Sequence, residues 1–192
     1  MFSSNIVIKL LITFIMGFNS GITYGFLVNS ITIYLKEQKI PLTLIGIFSI
    51  KILPYSFKFC WAPYVDYYKL PVFSHFFCKR RSWMMISQTL LIFFISCFGI
   101  INVVSYLYVI LTISIIIAFL GATYDITIQA YIIELFSSED LANAEAFMIY
   151  GFRLGLLSSG IFSLVMANKL PWRHVFSFLA CSLVPCTIMI YY

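Results

Sequence analysis

Three charged residues lie inside long apolar stretches of the sequence: Lys51, Asp125 and Arg153. A charge without a partner in a membrane costs several kcal/mol, so such residues commonly bind a solute, carry a proton or pair with each other. Lys51 is too far from either end of its stretch for its amine to reach the surface, and it is predicted to face a cavity. Asn19, in the middle of the first stretch, is a further cavity candidate.

Asp125 and Arg153 lie on either side of an expected turn near residue 137. If the chain folds back there, Asp125 comes level with about residue 149 and Arg153 lies one helical turn deeper. A long arginine side chain can bridge that distance. Two interpretations stay open: an ion pair that locks two helices together, or a site for an anionic solute or a proton whose partner is released on protonation.

Other chemistry has little support in the sequence. His75 and His174 lack partners at ligand spacing, and no nucleophile and base pair or phosphate-binding glycine loop stands out, which argues against an enzyme and against a bound cofactor. The cysteines show no ligand spacing and mostly fall in apolar stretches, where cysteine behaves as a small hydrophobic residue. Neither a disulfide nor a metal site is predicted for the five cysteines, at positions 60, 78, 97, 181 and 186.

The elements that hold these residues are membrane helices by composition. Of the 192 residues, 62% are hydrophobic and 10% are charged, whereas soluble domains are about 25% charged. The mean hydropathy is +1.00. The net charge of +5 comes from few basic residues near helix ends and in one loop, so membrane lipid is a better partner than nucleic acid.

Apolar segments long enough to span a bilayer occur six times, since a span needs about 20 helical residues. The sequence therefore predicts an all-α integral membrane protein with a single six-helix domain. A long basic loop covers residues 67–82. The predicted spans cover residues 10–35, 42–64, 83–101, 105–135, 141–166 and 172–192.

Basic residues near span ends are more frequent on the side of the N-terminus, where the adjacent triplet at 79–81 lies. This excess predicts that both termini are cytoplasmic. The N-terminal side holds Lys9, Lys58, Lys69, Lys79, Arg80 and Arg81, against Lys36, Lys39, Lys169 and Arg173 on the other side.

Five short motifs stand out along the chain, of which residues 53–66, Leu-Pro-Tyr-Ser-Phe-Lys-Phe-Cys-Trp-Ala-Pro-Tyr-Val-Asp, are the most specific. Together they resemble the N-terminal half of the major facilitator superfamily, and within it the AmpG-type muropeptide permeases, which are related to acetyl-coenzyme A transporters. The other four are Gly-Phe-Asn-Ser-Gly at 17–21, Lys-Arg-Arg-Ser-Trp at 79–83, Ala-Thr-Tyr-Asp-Ile at 122–126, and Gly-Phe-Arg-Leu-Gly at 151–155 followed by Ser159-Gly160.

The resemblance implies a proton-driven importer of cell-wall fragments, anhydro-muropeptides or similar anionic solutes, across a bacterial inner membrane. Two six-helix halves would rock about a central cavity. It also implies that Asp66, with the basic cluster Lys79, Arg80 and Arg81, forms a gating loop that helps to hold the halves together in one state. Asp125, Arg153, Lys51 and Asn19 would then lie on the path of the solute or the proton.

Two departures from the family pattern affect function. Gln129 and Ile132 stand where AmpG-like sequences usually have an acid and a base. Family members have about twelve helices, so a six-helix chain is expected to need a second half, encoded separately or supplied by a second copy. The high content of Ile, Phe, Tyr and Lys is what an AT-rich coding sequence would give, and the stop at Tyr192 after six helices favours a truncated gene as the expectation. The alternatives are a non-transporting membrane scaffold or remnant, and a homodimeric half-size carrier.

Overall fold

The computed structural model describes residues 4–68, 79–101 and 106–191. Within these ranges the chain is helical and contains no strand. Six helical stretches are long and apolar enough to cross a membrane, which confirms the predicted fold class. They are named span 1 (Ile6–Glu37), span 2 (Leu42–Cys60), span 3 (Arg80–Phe98), span 4 (Leu107–Leu135), span 5 (Leu141–Ala167) and span 6 (Trp172–Ile190).

The described ranges contain ten α-helices, of which α5 follows span 2 and the other nine build the six spans, and short segments of other helix types join some of them. A π-helix, Phe26–Ser30, connects α1 to α2, and 3-10 segments at Phe48–Ile52 and Lys58–Cys60 connect α3 to α4 and α4 to α5. The helices are α1 (Ser4–Gly25), α2 (Ile31–Glu37), α3 (Leu42–Ile47), α4 (Leu53–Phe57), α5 (Ala62–Tyr67), α6 (Lys79–Phe98), α7 (Leu107–Leu135), α8 (Leu141–Ala167), α9 (Trp172–Ser182) and α10 (Val184–Tyr191).

Span 2 and the helix that follows it are built from short pieces because prolines restart the helix. Pro54 and Pro63 each lie in the first turn of a new helix, α4 and α5. A proline has no backbone N–H and clashes with the preceding turn, so it is tolerated at a helix start and not in a helix interior. Span 1, in contrast, runs without a break through residues 17–21, and its helix changes type only at Phe26.

Glycines bring span 1 and span 5 into close contact. Gly17 and Gly21 of α1 and Gly151 and Gly155 of α8 all face the other helix, and a Cβ on any of them would collide with a backbone carbonyl oxygen across the interface. Small residues at this spacing let two membrane helices pack backbone to backbone. This contact is the most extensive between any two described helices.

The predicted pairing of spans 4 and 5 is wrong. The chain does turn before α8 begins at Leu141, but α8 then packs mainly on α1 and makes only limited contact with α7. The glycine faces of α1 and α8 allow these two helices to pack more closely than α7 and α8, which are adjacent in the chain. Span 4 packs instead on span 3, span 1 and span 2, with much of α7 buried at the centre of the bundle.

One face of the bundle is open. In the most apolar windows of spans 2 and 5, 17% and 28% of the residues are buried, against 39–50% in the other four spans. Span 1 lies between them, in contact with the helices of both. The open face is therefore formed by span 2, span 1 and span 5.

The two ends of the bundle differ. The loop end, where α5 stops at Tyr67 and α6 begins at Lys79, carries ion pairs. At the opposite end, the Trp172 Nε1 donates a hydrogen bond of 2.7 Å to Glu37 Oε2, and the Trp172 ring lies 5.0 Å from that of Tyr34. This contact ties the end of span 1 to the start of span 6.

Candidate functional site

Asp125 lies at the centre of the bundle and is 7% exposed. Its Oδ1 accepts a hydrogen bond from the Ser20 hydroxyl of α1. Residues 121–128 of α7 are all buried, because they face the helices packed around span 4. A carboxylate in this position is an ionisable group inside a membrane span, held by a neutral donor.

Tyr55 of α4 covers the turn before Asp125. A Cβ on Gly121 would collide with the Tyr55 hydroxyl and come 3.1 Å from Thr23 of α1, so glycine at this position allows three spans to meet. Within the described ranges no cation lies within ion-pair distance of the Asp125 carboxylate. The sequence motifs include Tyr55 but do not show that it approaches the turn before Asp125.

Arg153 does not pair with Asp125, which excludes the first of the two interpretations given for them. Gly151 and Gly155 face α1. A helix turns about 100° per residue, so Arg153, two residues from each glycine, lies on the opposite side of α8 and points away from α1. Its side chain is exposed. The error follows from the wrong pairing of spans 4 and 5, since α1 lies where the two side chains were expected to meet.

Lys51 is only 3% exposed and lies in the 3-10 segment Phe48–Ile52. This segment packs on α7 and on the π-helix of span 1. No hydrogen-bond acceptor or counter-ion of its amine occurs among the residues that the structure describes. Lys51 is thus an inward-facing cation without a protein partner in these ranges.

Asn19 faces the closed side of the bundle. Its Nδ2 donates a 2.9 Å hydrogen bond to Gln88 Oε1 of α6, and Gln88 Nε2 donates to the Leu183 carbonyl oxygen at 3.3 Å. Asn19 Oδ1 has no partner in the described part of the chain. The two amides link spans 1, 3 and 6. Gln88 is not among the residues predicted from the sequence, although a polar amide within apolar span 3 could have indicated it.

Arg80 connects three helices, α5, α6 and α7, at the loop end. Its Nη1 donates to Asp66 Oδ1 at 3.0 Å, and its Nε lies 2.7 Å from Glu134 Oε1. Arg81 lines the same cavity of about 530 Å³, and the side chain of Lys79 lies outside the described residues. The structure thus brings Asp66 and Arg80 together as a pair and adds Glu134 at the end of span 4.

No group of three metal-ligating side chains occurs in the parts of the chain that the structure describes. The features that do occur define a class: a helical multi-pass membrane protein with a buried carboxylate at its centre and an ion-pair network at one end. The chain belongs to the Major Facilitator Superfamily, whose family model matches residues 4–192.

Similarity to individual proteins agrees with this assignment. The chain is 33% identical to the anhydromuropeptide permease of Escherichia coli over 178 residues, 92% of this chain and 35% of that protein. It is 34% identical to a Haemophilus influenzae protein over 168 residues, 88% of this chain and 39% of that protein. A Rickettsia prowazekii transporter named AmpG 3 is 33% identical over 165 residues, 85% and 39% respectively.

These relatives confirm the resemblance seen in the sequence motifs. With six apolar spans, the chain is a multi-pass protein, and its relatives support a place in the inner membrane. It spans well under half the length of the relatives it matches.

Proposed function

We propose that this chain forms the N-terminal half of a proton-driven importer of anhydro-muropeptides or similar anionic solutes. Membership of the Major Facilitator Superfamily and similarity to the E. coli anhydromuropeptide permease support the class of activity. The observation that carries the proposal is the buried Asp125 carboxylate, hydrogen-bonded by Ser20 between span 1 and span 4.

In this proposal Asp125 binds the proton. Its hydrogen bond comes from a neutral hydroxyl, and no described cation neutralises it at close range. Binding a proton removes the charge and changes the hydrogen bond between Ser20 and Asp125, and with it the contact between α1 and α7. Because span 1 also forms part of the open face, protonation is coupled to the surface on which a solute would move.

Lys51 and Arg153 are the cations proposed to attract the anionic solute. Lys51 is buried without a described partner, and Arg153 is exposed on α8 in the same membrane-spanning region. An exposed arginine in the middle of a span is unfavourable in lipid, so the open face is better covered by protein or water. A second six-helix half, from a separate chain or a second copy, would supply that cover.

The gating role is proposed for the loop end. With both termini in the cytoplasm, Asp66, Arg80 and Glu134 lie at the cytoplasmic surface, where the second half would close against them. Their exposure, 26% for the Arg80 side chain and 52–59% for the two acids, limits the strength of each pair to about 1 kcal/mol or less. Pairs of this strength can break and re-form as the halves rock.

Asp125→Asn tests the proposal in cells that lack their own anhydro-muropeptide permease and produce the chain with a second half. Asparagine keeps the size of the side chain and can still bond to Ser20, but it cannot exchange a proton. Proton-driven accumulation of labelled anhydro-muropeptide should fall at least about tenfold, while exchange of labelled for unlabelled solute, which needs no net proton movement, should persist.

Gln129→Asn is the matched control, because Gln129 is exposed one turn further along the same helix. It should leave both uptake and exchange unchanged. If accumulation by Asp125→Asn equals that of the unaltered chain, Asp125 is not the proton site. If the unaltered chain neither accumulates nor exchanges the solute, the scaffold interpretation takes the place of transport.

A further inference from the structure

Three aromatic rings from three different spans meet on the open face. Tyr24 of α1 lies with its ring centroid 4.9 Å from that of Tyr55 of α4, nearly perpendicular to it, and 5.7 Å from that of Phe152 of α8. These are contact distances for aromatic pairs. Tyr24 therefore lies between Tyr55 and Phe152 in a cluster of three rings, called here the aromatic trio.

The aromatic trio lies at the depth of Asp125. The Tyr55 hydroxyl sits against Gly121, one turn before Asp125, and the Phe152 backbone meets Gly21, the neighbour of Ser20. The trio thus lies beside the proposed proton site, where span 1 contacts spans 2 and 5, the two least buried spans.

The rings of the trio are only partly buried. This distinguishes them from Phe26, Phe98 and Phe176, whose rings also contact one another but are fully buried. The Tyr55 hydroxyl is buried and has no hydrogen-bond partner among the described residues. Partly exposed aromatic side chains with one unsatisfied hydroxyl beside them suit a ligand that is apolar on one side and carries hydroxyl groups at its edge.

We propose that the aromatic trio is a stacking subsite for the sugar ring of the transported solute. A pyranose presents an apolar face of C–H groups that packs on an aromatic face, and its hydroxyl groups remain free for polar partners. The proposal rests on the proposed function, since an anhydro-muropeptide joins such a sugar to a charged peptide. The trio would bind the sugar ring, and Lys51 and Arg153 would attract the peptide carboxylates.

Binding of two radiolabelled probes to the full chain in lipid nanodiscs tests this subsite. The first probe is anhydro-N-acetylmuramyl tripeptide and the second is the free tripeptide of the same sequence. Tyr24→Leu and Phe152→Leu should each raise the Kd of the sugar-containing probe about fivefold to tenfold, the worth of one aromatic contact. Neither should change the Kd of the free tripeptide.

Two variants serve as controls. Tyr24→Phe keeps the ring and should bind the sugar-containing probe within about twofold of the unaltered chain. Phe93→Leu removes a ring that is 58% exposed on span 3, which contributes no ring to the aromatic trio. This variant should bind both probes normally. Its normal binding would show that loss of an exposed ring does not by itself impair the chain.

The outcomes separate this inference from the proposed function. If the unaltered chain binds the sugar-containing probe and both leucine variants bind it equally well, the subsite is wrong while the proposed function stands. Equal weakening for both probes would also overturn the subsite, because the loss would not be specific to the sugar. If the unaltered chain binds neither probe, the subsite is wrong, whereas the proposed function, which requires a second half, is decided by the uptake assay with both halves.

Discussion

The Lys51 side chain is 3% exposed in a membrane span, and its amine meets no acceptor among the described residues. Such a group costs free energy in the folded state, because the ammonium loses its hydration and gains no partner. Proteins retain costly groups of this kind mainly at functional sites. For Lys51 the expected use is attraction of an anionic solute.

Lys51→Met should therefore improve stability and reduce function. Methionine fills a similar volume without a charge, so we expect the free energy of unfolding to rise by about 1 kcal/mol or more, which corresponds to roughly 2–4 °C per kcal/mol in the unfolding temperature. Uptake of an anionic solute should fall. Thermal unfolding in detergent and the uptake assay measure the two effects.

Lys39→Met is the control for this substitution, because Lys39 is exposed in the short turn between spans 1 and 2. It should leave both quantities unchanged. A lower unfolding temperature for Lys51→Met would mean that the amine makes a stabilising contact in the folded chain, and the account of Lys51 as an unpaired cation would fail.

Sequence reasoning identified the charged residues but not their partners. Asp125, Arg153 and Lys51 stand out because each interrupts an apolar run. Whether Asp125 meets Arg153 depends on which helices are neighbours and on the rotation of α8, and neither follows from the run of apolar residues. Ser20 lies within the 17–21 motif, but only the packing of α1 on α7 brings it to Asp125.

At the scale of elements, the contact between span 1 and span 5 organises the bundle. It uses glycines on both helices, so the fit depends on the absence of side chains at particular positions. Interfaces of this kind tolerate added volume poorly, because neither backbone can move without disturbing the rest of the helix.

Gly21→Ala should destabilise the chain by about 1–3 kcal/mol, since the new methyl group would collide with the Phe152 carbonyl oxygen of α8 and force the helices apart. Gly46→Ala is the matched control. A Cβ at Gly46 meets no atom within 4 Å, so alanine there should be neutral or slightly stabilising through its helix propensity. Equal unfolding temperatures for the two variants would show that the glycine interface does not limit stability.

The number and type of the elements were predictable, and their arrangement was not. Six apolar runs of membrane length specify six spans, since a bilayer accepts few other structures. Pro54 in span 2 and Pro63 just after it also mark where a helix restarts. The preference of α8 for α1 over α7 depends on how two glycine faces match in three dimensions, and the π-helix at Phe26–Ser30 follows from packing that no local pattern reveals.

At the scale of the whole molecule, the six spans form a bundle with one closed side and one open face. The closed side is linked by the amides of Asn19 and Gln88 and by the aromatic cluster of Phe26, Phe98 and Phe176. The open face carries Arg153 and the partly exposed rings of the aromatic trio. Lipid is a poor cover for such a face, and a second half is a good one.

The relatives are much longer than the region that this chain matches. The matched region is 35–39% of the E. coli, H. influenzae and R. prowazekii proteins, so each relative has a large further part that this chain does not match. Alternating access in this kind of fold needs two parts that move against each other. The central claim is that this chain works as one half of such a pair.

Complementation by a second half tests that claim most directly. Cells that lack their own anhydro-muropeptide permease would produce this chain alone, the unmatched remainder of the E. coli relative alone, or both together, with membrane insertion of each checked by immunoblot. Accumulation of labelled anhydro-muropeptide is predicted only when both parts are present. Equal accumulation by this chain alone would contradict the claim in favour of a homodimeric carrier, and no accumulation with both parts correctly inserted would contradict it in favour of a non-transporting scaffold.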